Sequence, residues 1–100
     1  MIDPSSGINE TELVQWIEES LATNSNNLAA GYQGQALKFE NDRHRLAIKV
    51  PHGRGPLRYF HIRLLRHEYE VYRKLKGFTG VPECYGIAGG KYLVLQLVEG

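Results

Sequence analysis

The chain has 100 residues, 42% of them hydrophobic, and a net charge of +1. This length allows one modest core, and the near-neutral charge gives no support for a surface dedicated to nucleic acid or to an anionic membrane. No apolar run approaches the roughly 18 residues of a membrane span, and residues 1–6 lack the basic start of a signal peptide. The single cysteine, Cys84, has no partner for an internal disulfide. We therefore expect a cytoplasmic protein without a membrane span.

The first segment of the chain predicts a helix. Asn9 followed by Glu12 is typical of a helix N-cap, and an apolar face then continues to about Ala22. That face consists of Leu13, Trp16, Ile17 and Leu21. We expect residues 1–27 to form a helical extension that covers one side of a sheet. The alternative is a regulatory contact with the later helix.

Strand-like segments follow, near residues 28–31, 34–40, 45–51, 84–88 and 91–98. Gly89 and Gly90 predict a tight hairpin turn, because both central residues of such a turn can require positive φ. A long helix from about Leu57 to Lys76 separates the third and fourth strands. The expected fold is α+β: a curled antiparallel five-stranded sheet with one long helix and the extra N-terminal helix.

Two charged residues occupy positions where the local pattern predicts burial. Lys49 lies in the apolar run 46–50, and alternation along a strand places it on the same face as Ala47. Glu68 takes one place in an apolar row of the long helix, whose other members are Phe60, Leu64, Val71 and Leu75. Because an unpaired buried charge is costly, we expect an ion pair between Lys49 and Glu68. The alternative is that Lys49 reaches solvent from an edge strand and Glu68 lies at the margin of the row.

The order of these motifs resembles the N-terminal lobe of the protein kinases. Segment 29–34, with Gly31 and Gly34 three residues apart, resembles their glycine-rich loop, although Ala29 stands where the first glycine is expected. The run ending at Lys49 resembles the strand whose lysine holds the nucleotide phosphates, and Glu68 resembles the helical glutamate that anchors this lysine. The resemblance covers residues 28–100, which we expect to form this lobe. Among the kinases, compact bacterial serine/threonine and RIO-like members resemble the chain most.

The resemblance implies that the lobe binds ATP, with Lys49 and Glu68 as its catalytic residues. It also implies that Leu95 limits the back of the adenine pocket and that Gln96 and Val98 bond adenine through their backbone groups. The residues that it assigns to nucleotide binding are Gly31, Tyr32, Gln33, Gly34, Ala36, Ala47, Lys49, Leu95, Gln96 and Val98.

The remaining parts of a kinase have no counterpart in this sequence. The chain ends at Gly100, before any catalytic-loop or metal-binding aspartate of the family. We expect a lobe that would transfer the γ-phosphate of ATP, to a serine or threonine, only together with a C-terminal lobe, which would also supply the Mg²⁺ ligands. The alternative is a non-catalytic module that uses the same fold to bind a protein partner.

Two further residue groups carry weaker signals. The four histidines, His44, His52, His61 and His67, lack metal-ligand spacing, so we expect no metal site among them. Basic residues between positions 54 and 76 alternate with aromatic ones, a pattern also found in nucleic-acid-binding proteins. Because we expect the aromatic side chains on or beside the apolar row, we favour a solvated helix face and expect no nucleic-acid partner.

Overall fold

The computed structural model describes residues 2, 6–27, 35–51 and 55–97. They form, in chain order, α1 (Glu10–Thr23), β1 (Gln35–Glu40), β2 (Arg45–Val50), α2 (Pro56–Lys74), β3 (Cys84–Ala88) and β4 (Tyr92–Gln96). The four strands pair antiparallel in the order β1-β2-β4-β3. Within these ranges, neither helix is long and apolar enough to cross a membrane.

The α+β class and the antiparallel pairing agree with the sequence analysis, but the five-stranded sheet with one long helix is wrong. The described residues contain four strands and two helices. The predicted strand 28–31 lies outside the described residues. Just before it, Asn26 has a φ of 62°, and Asn27 forms an isolated bridge to Leu37 of β1. A residue in this left-handed conformation interrupts an extended strand, so the described part of this connection adds no strand to the sheet.

Helix α1 has the ends that its sequence predicts. The side chain of Asn9 accepts a hydrogen bond of 3.1 Å from the Glu12 N–H, which satisfies a donor at the open end of the helix. At the other end Asn24 adopts a left-handed conformation with φ 51°, and its N–H bonds back to carbonyls of the last turn. Leu13 and Ile17 are buried along the face between these caps.

One face of the sheet is covered by α1. Leu37, Ile48 and Val94 lie opposite one another on three strands and form a core with the buried side chains of α1. At the rim, Trp16 meets Phe39 edge to face, with ring centroids 4.9 Å apart. The prediction that the N-terminal helix covers one side of the sheet is confirmed.

Helix α2 covers the opposite face, and only in part. Leu65, Tyr69 and Tyr72 pack against a cluster formed by Ile87, Leu93 and Leu95. None of the 19 residues of α2, all of which the structure describes, is buried. The helix therefore stays largely accessible to solvent, and we call its side of the sheet the open face, although the strand residues Ile87, Leu93 and Leu95 beneath it are buried.

The predicted core row of α2 is wrong. Its members are exposed, Phe60 by 57%, Leu64 by 46%, Val71 by 42% and Leu75 by 38%. The helix carries two adjacent apolar faces, and the one with two tyrosines packs on the sheet. Large aromatic side chains bury more area per contact than leucine or valine, which favours that face.

The β3–β4 turn connects both helices to the sheet. Gly89 and Gly90 have φ values of 59° and 75°, which confirms the predicted turn. From α1, the Glu10 carboxylate accepts hydrogen bonds from the Gly89 N–H at 3.2 Å and the Ile2 N–H at 2.9 Å. From α2, the Arg66 guanidinium donates to the Gly90 carbonyl at 3.1 Å. One two-glycine turn thus helps to position both helices.

Replacing Glu10 with glutamine is expected to lower stability at neutral pH. The hydrogen bonds from Ile2 and Gly89 lower the pKa of the Glu10 carboxyl below its ordinary value of 4.5. Such a group stabilises the fold above its unfolded-state pKa, and this contribution is lost as the pH falls through its folded-state pKa. In urea unfolding at pH 7 we expect E10Q to cost about 1 kcal/mol, and the difference to shrink as the pH falls through the folded-state pKa of Glu10. The matched control E18Q, on the exposed face of α1, is expected to change little; an E10Q deficit that does not decrease with falling pH would show that the charge is not responsible.

Candidate functional site

The central feature of the open face is an ion pair between β2 and α2. The Lys49 ammonium lies 3.1 Å from Glu68 Oε2 and 3.3 Å from Glu68 Oε1, so it contacts both carboxylate oxygens. The predicted pairing of these two charges is confirmed. The predicted burial of the two charges is wrong, because the side chains of Lys49 and Glu68 are 23% and 42% exposed, respectively. A pair in this setting is partly screened by water and contributes about 1 kcal/mol or less.

The strand register explains why Lys49 reaches the helix. Lys49 is directly opposite Ala36 on β1 and Leu93 on β4, and opposed residues share a face of the sheet. Ala47 lies two residues earlier on the same face. The two alanines leave room for a long side chain, which extends towards α2. Glu68 meets it there because it lies at the edge of the helix face that packs on the sheet.

Several of the residues assigned to nucleotide binding share this face. Ala36 opposes Lys49, and Leu95 opposes Ala47. Ala36, Ala47 and Leu95 are 5%, 2% and 4% exposed, so a nucleotide could reach them only if the face opens. The other predicted contacts in the glycine-rich segment and beyond β4 lie outside the described residues: Gly31, Tyr32, Gln33, Gly34 and Val98.

Gln96, predicted to contact adenine through its backbone, ends β4 opposite Leu46, which belongs to the core on the α1 side. Its N–H donates to the Glu83 carbonyl at 2.7 Å, and its side-chain oxygen accepts from the Glu83 N–H at 3.2 Å. These two bonds hold the end of β4 beside the segment that leads into β3. The Gln96 N–H is therefore engaged within the protein, and a role of this residue in nucleotide binding stays a prediction.

Cys84 is a member of this region that the sequence analysis did not assign to it. Cys84 lies on β3, opposite Leu95 of β4. It packs against the cluster of Ile87, Leu93 and Leu95 that α2 contacts. Burial raises the pKa of the Cys84 thiol, the negative charge of Glu68 raises it further, and a hydrogen bond from the Gly86 backbone opposes both. Counting back from the Gly89–Gly90 turn would have placed Tyr85 at this position. A register shift between Cys84 and Gly86 moves the cysteine there, and such a bulge has no reliable sequence signal.

The histidines do not converge on a metal site in the part of the chain that the structure describes, where no group of three or more potential ligands is found. His52 lies outside the described residues. His44 instead contacts the Ser6 carbonyl through Nε2 at 2.8 Å and lies edge-on to the Tyr85 ring. This histidine connects the β1–β2 turn to the segment that precedes α1.

Replacing Glu68 with glutamine is expected to make Cys84 more reactive. Removing the nearby negative charge lowers the thiol pKa towards its ordinary value, so more thiolate is present at pH 8. We expect E68Q to react faster with iodoacetamide at pH 8 and its rate-against-pH curve to move to lower pH. The control E70Q removes a carboxylate that pairs with Arg73 on the exposed side of α2 and is expected to leave the rate unchanged. Equal rates in all three proteins would show that Glu68 does not lie close to Cys84.

Comparisons with known proteins do not identify the function of this site. No protein-family model, curated protein or solved structure matches the chain. The function must therefore be inferred from the structure itself, above all from the contact of Lys49 with Glu68 on the open face of the sheet.

Proposed function

We propose that this chain is the nucleotide-binding lobe of a protein-kinase-like phosphotransferase. The observation that carries the proposal is the contact of the Lys49 ammonium with both carboxylate oxygens of Glu68, from the central strand β2 to the helix α2. In the kinases that the sequence resembles, a lysine on a strand and a glutamate on a helix make this kind of pair.

The chemistry of the pair is suited to holding phosphate. An ammonium group is a compact cation that attracts phosphate oxygens, and Lys49 keeps 23% of its side chain exposed. Glu68 compensates the charge when no phosphate is bound and restricts the positions that the ammonium can take. Lys49 would thus bind the phosphates of ATP, and Glu68 would orient it.

Small and apolar residues on the same face support the placing of an adenine ring. Ala36 and Ala47 would form a flat surface on which the ring packs, and Leu95 would limit how deeply the ring enters the site. Because these side chains are buried, binding must include an opening of the face, and the cost of that opening lowers affinity. We therefore expect the chain alone to bind ATP weakly.

Transfer of the γ-phosphate to a serine or threonine hydroxyl needs groups beyond this site. A base and Mg²⁺ ligands would come from a C-terminal lobe, and the residues described in this chain would bind and orient the nucleotide. Such an enzyme would act in the cytoplasm, where ATP is available.

A second candidate function is a non-catalytic module that binds a protein. The observation that favours it is the exposed apolar row of α2, where Leu64 and Val71 are 46% and 42% accessible to solvent. Large exposed apolar patches are characteristic of interaction surfaces. Glu68 lies between Leu64 and Val71 in the helical repeat of this row and also lines the groove beside Val71, so the two functions would share this residue.

Titration of the full chain with ATP and with adenosine, followed by amide chemical shifts, tests the first function. We expect ATP to bind with a Kd weaker than about 1 μM and to shift amides of β1 and β2. K49M is expected to abolish the advantage of ATP over adenosine because the phosphates lose their cation. E68Q is expected to reduce that advantage several-fold.

The control for this titration is K76M, which removes a cation from the exposed segment after α2. It is expected to bind ATP as the unmodified chain does. An ATP affinity that is unchanged in K49M, or that is lost equally in K76M, would contradict the proposed role of Lys49.

A further inference from the structure

Helix α2 presents a second apolar face to solvent. Its five members, the α2 row, are Leu57, Phe60, Leu64, Val71 and Leu75, which are 38–57% exposed. The row is distinct from the face that packs on the sheet and extends along about 27 Å of helix at 1.5 Å per residue. Its length matches one face of a partner helix of about 18 residues.

The end of the row is concave. Val71 and Leu75 form one wall of a groove of about 330 Å³, and Val81 and Pro82, just before β3, form the other. Glu68, held by Lys49, lies at the inner end of the same groove. A concave apolar groove accepts the side chains of a helix, whereas a bilayer offers a flat surface. The shape therefore favours a protein helix over a lipid membrane.

The solvent side of the row has a basic border. Arg63, His67 and Lys74 are exposed and follow the row at helical spacing. The nearby carboxylate of Glu70 lies 3.3 Å from Arg73, which compensates its charge. A helix that docks on the row would thus place one edge of its apolar stripe beside the permanent cations Arg63 and Lys74 and beside His67.

We propose that the α2 row and its groove dock an amphipathic helix of a partner protein whose apolar stripe is bordered by carboxylates. Apolar burial along the row would supply most of the affinity, and the basic border would select the charge of the partner. This inference does not depend on nucleotide binding, because the five row residues take no part in the Lys49 site, although Glu68 of that site also lines the groove.

The charges and the side chains argue against three other occupants. A second copy of α2 would bring Arg63 and Lys74 of both copies to one interface, where they repel each other. The exposed face of α1 in a second copy is acidic and would suit the basic border. However, this face is polar, with Glu12, Gln15 and Glu19 exposed, so it has no apolar stripe that could fill the groove. Most members of the row are aliphatic, and nucleic-acid bases stack on aromatic rings instead.

The proposal is tested with two capped 18-residue helical peptides that carry the same leucine stripe. One has glutamates along the borders of the stripe and the other has lysines. Titrated into the full chain and followed by amide shifts, the glutamate peptide is expected to bind at least about tenfold more tightly. Its shifts are expected on α2 and at residues 81–82, and its affinity to fall as salt is raised.

Variants of the chain give the matched controls. L64S and V71S are expected to lose peptide binding while the fold persists, since both side chains are largely exposed. Y59S removes a large side chain that is more exposed than Leu64 or Val71 and lies outside the row, and it is expected to bind normally. The double variant R63E/K74E is expected to reverse the preference to the lysine peptide, which a nonspecific hydrophobic contact would not do.

Several results would overturn the proposal. The occupant would be wrong if neither peptide bound at the row, or if both bound equally. Self-association of the chain that L64S abolishes would identify a second copy as the occupant. Binding to phosphatidylserine vesicles that L64S and R63E/K74E abolish, without peptide binding, would identify a lipid surface.

Discussion

Polar contacts help to position α2 on the sheet, and the pairing of Lys49 with Glu68 is the one at its centre. The helix has no buried residue, whereas α1 buries Leu13 and Ile17. Lys49 on β2 and the Gly90 carbonyl in the β3–β4 turn both make polar contacts with α2. Because the ion pair is partly exposed, salt and nearby ligands can change its strength. A ligand that attracts Lys49 would also change how α2 is held.

The two faces of the sheet therefore differ in how their helices are packed. On the α1 side, Leu37, Ile48 and Val94 form a closed core with the helix, and Glu10 fixes the helix to the β3–β4 turn. On the α2 side, Leu65, Tyr69 and Tyr72 pack on buried residues of β3 and β4, and the helix keeps one apolar face exposed. Binding and regulatory sites are commonly drawn from the less stable parts of a fold. The nucleotide proposal and the docking proposal both use this open side.

Local patterns predicted much of the fold and part of the site. Alternation in residues 46–50 predicted the face of Lys49, and the two glycines predicted the turn that sets the register of β3 and β4. The face on which α2 packs was not predictable, because the helix has two adjacent apolar faces and tertiary packing selects between them. The position of Cys84 depends on a bulge, and the exposure of Glu68 follows from the open packing of α2. Neither property is encoded in a local pattern.

A double-mutant cycle between Lys49 and Glu68 tests most directly whether this pair holds α2 on the sheet. The unfolding free energies of K49M, E68Q and the double variant are measured in urea at low and high salt. The account predicts a coupling of about 0.5–1 kcal/mol that weakens as salt is raised. Strictly additive effects of the two substitutions at low salt would contradict it.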